Sequence, residues 1–151
     1  MHTLFFRLSL ALAASGAIAC AAANGPMPDD SSAGSTGPGP LVSSLQVETS
    51  ADSIRFVLQV TNTGPTPVTL DFTSGQSFDF VVQQGGREVW RWSADRMFTQ
   101  ALRTETLRPG DTRSFDAAWV PPAGTRGEFV ARGFLTARQY RAEQRAQFRF
   151  P

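Results

Sequence analysis

Only two side chains in this 151-residue chain belong to the usual kit of nucleophilic and transition-metal chemistry, Cys20 and His2, and both lie near the N-terminus. Beyond position 20 there is neither thiol nor imidazole. Cys/His and Ser/His nucleophilic systems therefore have no base, and zinc, copper and haem lose their usual ligands. A single cysteine also rules out an intramolecular disulfide. Carboxylates remain for acid–base work: Asp71 and Asp79 flank a glycine-containing turn, and Asp95, Asp111 and Asp116 follow. Aspartates at strand ends and turns ordinarily bond local backbone N–H groups. A catalytic pair also needs burial and close approach, and no Asp/Asn/Gly ligand run suited to calcium is present. The sequence reads as non-enzymatic, with no catalytic residue, no metal site and no cofactor.

Recognition chemistry is the next resource. Phe72, Phe78, Phe80, Trp90, Trp92, Phe98, Phe115 and Trp119 would make a stacking surface for sugars if exposed, or a core if buried. Strand alternation assigns most of them to the core, and a carbohydrate-binding surface would require exposed Trp90, Trp92 or Trp119. All 14 basic residues are arginine, and the net charge is +1. Arg87, Arg91, Arg132, Arg138, Arg141, Arg145 and Arg149 read as a solvated face of mixed pairs, so no nucleic-acid partner is expected. Binding is then left to loops on a rigid scaffold. The candidates are Pro65 and Pro67 in one loop; Ala94, Asp95, Arg96, Met97 and Phe98 in a second; and Pro121, Pro122 and Arg126 in a third. The prolines pre-set backbone dihedrals and lower the entropy cost of binding.

The elements that must hold these loops have a period of two. Ile54, Phe56, Leu58 and Val60 alternate with Arg55, Gln59 and Thr61, the pattern of a half-buried strand. Val68, Leu70 and Phe72 continue it, as do Phe78, Phe80 and Val82. Gly85-Gly86 marks a two-residue hairpin, and Trp90 and Trp92 share a face. Further strands are expected over 102–107, 112–119, 128–137 and 142–150, with turns at 108–111 and 121–124. Ser93 breaks its strand and is expected to cap a short helical turn over 93–98. The fold class is all-β, an immunoglobulin-like antiparallel sandwich of about 7–8 strands without a disulfide.

Residues 1–19 carry Arg7 and then an apolar run of signal-peptide length, too short for a membrane span of about 20 residues. Ala17-Ile18-Ala19 before Cys20 is similar to the lipobox of bacterial lipoproteins, with Ala17 where leucine is usual. Residues 1–19 are thus expected to be a signal peptide and Cys20 a lipidated mature N-terminus, anchored to the cell-envelope membrane; plain cleavage would give a periplasmic or extracellular chain. Residues 20–41 are small, polar and rich in breakers, and are expected to form a disordered tether. The folded domain is expected over 42–151.

Several short segments follow one another in order: Val68-Thr69-Leu70-Asp71-Phe72, Ser74-Gly75-Gln76-Ser77-Phe78-Asp79-Phe80, Val89-Trp90-Arg91-Trp92-Ser93, Met97 through Leu102, and Leu107-Arg108-Pro109-Gly110. With Asn62-Thr63-Gly64 upstream and Trp119 downstream, residues 42–135 resemble the BsuPI-type intracellular proteinase inhibitor domain. The resemblance implies an immunoglobulin-like sandwich and a protein partner, with inhibition of subtilisin-type serine proteases. It assigns no inhibitory loop. The other expectation is an envelope assembly or adhesion module, without inhibitory activity, that pairs through an open edge strand or flat apolar patch.

Overall fold

Strand β3, Ile54–Asn62, shows why this chain folds as a sandwich. Ile54, Phe56, Leu58 and Val60 are fully buried on one face, and β-branched and aromatic residues on a pleated surface favour this conformation. The computed structural model describes residues 35–36 and 39–151; residues 1–34, including the expected signal peptide and Cys20, lie outside the described residues. The other strands are β1 Ser35–Thr36, β2 Leu41–Thr49, β4 Val68–Phe72, β5 Phe78–Gln84, β6 Arg87–Arg91, β7 Arg103–Leu107, β8 Thr112–Trp119, β9 Gly127–Leu135 and β10 Glu143–Phe150. One antiparallel sheet runs β1-β2-β3-β8, the other runs β10-β9-β5-β6, and β4 pairs with β7 as a separate ribbon.

The fold is the expected immunoglobulin-like β-sandwich. Among the described residues it has ten strands rather than seven or eight, and no helix. The additions are the short β1 and the long β2. In β2 the inward face reads Leu41, Ser43, Leu45, so a serine interrupts the apolar alternation. Ser43 is nonetheless buried, because Gln144 Nε2 of the opposite sheet donates to its Oγ at 2.9 Å. Of the stretch 20–41, residues 35–36 and 39–41 are among the described residues. Ser35 and Thr36 pair with Ser43 and Val42, Thr63 N donates to the Pro40 carbonyl at 2.9 Å, and Leu41 is buried.

A single core joins both sheets and the ribbon through Phe56, Leu70, Phe72, Phe80, Leu107, Trp119, Phe129 and Phe148. Phe56 lies at its centre, stacked on Trp90 at 5.5 Å and tilted against Phe80 at 5.7 Å. Val81 points to the outer face yet is buried; its cross-strand partners Arg91 and Arg132 have alkyl stems long enough to cover it. The β5–β6 hairpin turns at Gly85 and Gly86, whose φ of 56° and 81° fit the type I′ turn that only such residues adopt easily.

Two corrections concern the β6–β7 connection. Residues 92–95 form hydrogen-bonded turns and not a helix, and the Ser93 hydroxyl donates to Asp79 at 2.7 Å. Leu102, expected in a strand, lies outside β7 and is 81% exposed.

Candidate functional site

The register divides the three candidate loops. Ile54 pairs with Trp119 and Thr61 with Thr112, so the β8–β9 loop with Pro121, Pro122 and Arg126 leaves one end of the sandwich. The β3–β4 loop, with Pro65 and Pro67, leaves the other. The β6–β7 loop shares that second end, since β6 runs away from the Gly85-Gly86 hairpin, whose neighbour Gln84 bonds the Arg126 carbonyl. Even there the two loops stay apart. One enters the β4–β7 ribbon at the Val68–Leu107 pair and the other at the Phe72–Arg103 pair, a separation of about 14 Å along the strands. The structure does not bring the three together into one surface.

The β3–β4 loop is tied down by its first residue. Fully buried Asn62 donates from Nδ2 to the carbonyls of Thr66 at 2.8 Å and Leu107 at 3.0 Å, and its Oδ1 accepts from Gly64 N at 3.0 Å. Pro65 and Pro67 are exposed on it. At the opposite end, Pro121, Pro122 and Arg126 line an open groove of about 380 Å³ with Ala51, Asp52 and Phe150.

The β6–β7 loop is the exposed segment with the firmest base. That base begins at Asp79, a buried carboxylate on β5. Its Oδ1 accepts from the N–H groups of Phe80 at 3.0 Å and Ser93 at 3.1 Å. Its Oδ2 accepts from Ser93 Oγ at 2.7 Å and Arg91 Nη1 at 2.8 Å. Arg91 also meets Glu88 through two further bonds. Glu88 first, and Asp79 after it, hold the Arg91 guanidinium above its ordinary pKa, against its partial desolvation. Beside this network Trp92 stacks on Phe78 at 4.2 Å.

Trp92 in turn organises the loop. Arg96 lies over its ring at 4.5 Å and donates from Nε to its carbonyl at 3.1 Å. Phe98 packs on the same ring at 5.6 Å. With both neighbours folded back, Met97 between them is completely exposed, at 101%. The far side is fastened where Gly75 N donates to the Thr99 carbonyl at 2.8 Å. At the entrance to β7, Arg103 lies over Phe72 at 4.6 Å and donates to Ser77 Oγ at 2.5 Å. The loop thus presents Met97 and Leu102, two large apolar side chains, between two anchored ends.

Gly75 makes the second anchor possible, since a Cβ there would lie 2.7 Å from Thr99 Oγ1. Gly75→Ala should separate the two segments and accelerate amide exchange over residues 94–102, with only about 1 kcal/mol lost from global stability. Thr99→Ala, which removes the oxygen in the way, should restore slow exchange in the double variant. Hydrogen exchange read by mass spectrometry checks both.

The outer carboxylates set the response to acid. Arg132, then Arg145, holds Glu143 below its usual 4.5 despite partial burial, and Arg91 does the same for Glu88. Hydrogen bonds from Thr104 and Gln139 lower Asp71. A depressed folded-state pKa means that the folded protein binds fewer protons, so this contribution is present above the unfolded value and is lost as pH falls through the folded one. Thermal melts should be insensitive to these groups above pH 6 and should decline below about 4.5. Arg132→Gln should flatten part of that decline.

Of the residues singled out in the sequence, Ala94, Asp95, Arg96, Met97 and Phe98 fall on this loop. Leu102, Thr99 and the Gly75 anchor were not foreseen; the ordered phrase containing both Ser74-Gly75-Gln76 and Asp79 was the available signal. The tryptophans do not form a sugar platform, since Trp119 is buried and Trp90 and Trp92 are half-buried and occupied by Phe56 and Phe78.

The structure is a β-sandwich whose irregular β6–β7 loop rests on a packed aromatic and ionic base. The family model for the BsuPI intracellular proteinase inhibitor matches residues 41–140, and the chain belongs to that family. No curated protein matches the sequence. Among solved structures, similarity is found to a β-glucosidase from Kluyveromyces marxianus with bound glucose (13% identity, 74% of this chain and 14% of that one, TM-score 0.43). The sporulation control protein Spo0M of Bacillus subtilis gives 13% identity over 74% of this chain and 49% of that one, with a TM-score of 0.41. The β-glucosidase EmGH1 of Erythrobacter marinus gives 16%, 71%, 15% and 0.39. These partial likenesses carry no argument about what the present chain does.

Proposed function

We propose that this protein is a non-enzymatic inhibitor of subtilisin-type serine proteases that enters the substrate cleft with its β6–β7 loop. The observation that carries this reading is Met97, wholly exposed between Arg96 and Phe98, which are both drawn onto Trp92. An apolar side chain on a loop already ordered at both ends fills a hydrophobic specificity pocket at a small entropy cost. The Asp79 network and the Gly75–Thr99 bond hold the two sides in place, which disfavours release even where the protease attacks the backbone. Family membership supports a protease as the partner.

Export and a lipid anchor at Cys20 belong to the same proposal. They are supported by the apolar run and Ala17-Ile18-Ala19-Cys20, and they direct the inhibitor at proteases of the envelope. The assembly-module reading has less support. β8 ends its sheet as an edge strand, but Arg113 and Asp116 line it, and charge on an edge opposes strand pairing.

The test is a titration of a subtilisin-type protease with the purified protein, followed by intact-mass analysis of the inhibitor. Saturable inhibition with an uncleaved chain supports the reading. A folded chain that leaves the protease fully active at high micromolar concentration, or is degraded by it, overturns it.

A further inference from the structure

The residue offered to the cleft is a thioether, and the geometry that exposes it also leaves it unprotected. We infer that Met97 is an oxidation-sensitive switch: a hydroperoxide converts it to the sulfoxide and so turns inhibition off. This rests on the assignment of the β6–β7 loop as the inhibitory segment. Buried methionines are shielded by packing, but Met97 is 101% exposed. Its neighbours cannot fold over it, because the Arg96 guanidinium is held 4.5 Å from the Trp92 ring centre and the Phe98 ring 5.6 Å from it. Among the described residues Met97 is no part of the core cluster, so its oxidation spares the sandwich.

In the reaction one peroxide oxygen is transferred to Sδ as the O–O bond breaks. The sulfur is oxidised by two electrons and the peroxide is reduced to water or, for an organic hydroperoxide, to its alcohol. The product is a polar, chiral sulfoxide where an apolar chain stood. Seated in an apolar pocket, that oxygen is desolvated without a partner. The inhibition constant should rise about tenfold or more. Methionine sulfoxide reductase would reverse the change, which makes the device a switch and not merely a lesion.

The experiment treats the full chain with hydrogen peroxide and follows Met97 by peptide mass mapping, protease inhibition by titration, and folding by thermal melt. Met97 should oxidise at the rate of a methionine in an unstructured peptide, with the melt unchanged and inhibition falling in step. The reductase should restore inhibition. In Met97→Leu, whatever its own potency, treated and untreated samples should inhibit equally, which excludes effects of other oxidised residues. Slow oxidation of Met97, or full oxidation with undiminished inhibition, overturns the switch. An untreated chain that does not inhibit sinks the functional reading, and the switch with it. The Met97 oxidation rate still reports separately whether the thioether is accessible.

Discussion

Met97→Asp should abolish protease inhibition and leave the sandwich intact. The side chain is fully exposed in the free protein, so the substitution should change stability by no more than about 0.5 kcal/mol. In the complex the same position is desolvated inside an apolar pocket, where a carboxylate has no partner. Truncating a central apolar anchor costs about 2 kcal/mol or more, and the buried charge adds to that, so the inhibition constant should rise at least about 100-fold. Paired measurements of inhibition constant and thermal midpoint separate the two effects. Inhibition that survives the charge with an unchanged constant would remove Met97 from the interface.

The second large effect is expected at Asp79. Asp79→Ala removes an acceptor from Phe80 N, Ser93 N, Ser93 Oγ and Arg91 Nη1 together. The Phe80 N bond is buried and the Ser93 N bond part-buried, and an orphaned buried donor costs about 1–3 kcal/mol. Arg91 keeps its two bonds to Glu88, which limits the loss from its side. The sum should be about 3 kcal/mol, a fall in melting temperature on the order of 10 °C. Asp79→Asn should be milder, because its carbonyl oxygen can still accept from both N–H groups. Trp92 and the loop residues resting on it should loosen in both variants, so inhibition should weaken further than stability alone explains. A melt unchanged by Asp79→Ala would show that the network is not the base of the loop.

The strands were legible because their alternation is strong. Ile54, Phe56, Leu58 and Val60 leave no competing period, and the Gly85-Gly86 pair has one natural turn. β2 was hard to read because its inward Ser43 is explained only by Gln144, a partner on the far sheet. Ser93 had the right chemistry for a cap, but local sequence cannot show that Asp79 claims its hydroxyl. Leu102 continues an apolar pattern in the sequence, which predicts a strand there; in the folded chain pairing starts one residue later, at Arg103–Phe72. The loop containing Ala94 to Phe98 could be named as a candidate from composition. Its selection over the loops of Pro65 and Pro122 rests on tertiary facts: Met97 exposed, Arg96 and Phe98 on one ring, and Gly75 against Thr99.

The most direct test of the account is a cross-link from position 97. The chain carrying a photo-reactive amino acid in place of Met97 is bound to the protease and irradiated, and the adduct is mapped by mass spectrometry. Adducts on residues lining the substrate cleft, abolished when the active site is first blocked by a covalent inhibitor, are the predicted result. An adduct remote from the cleft, or one unaffected by blocking it, would contradict the assignment of the β6–β7 loop as the inhibitory surface.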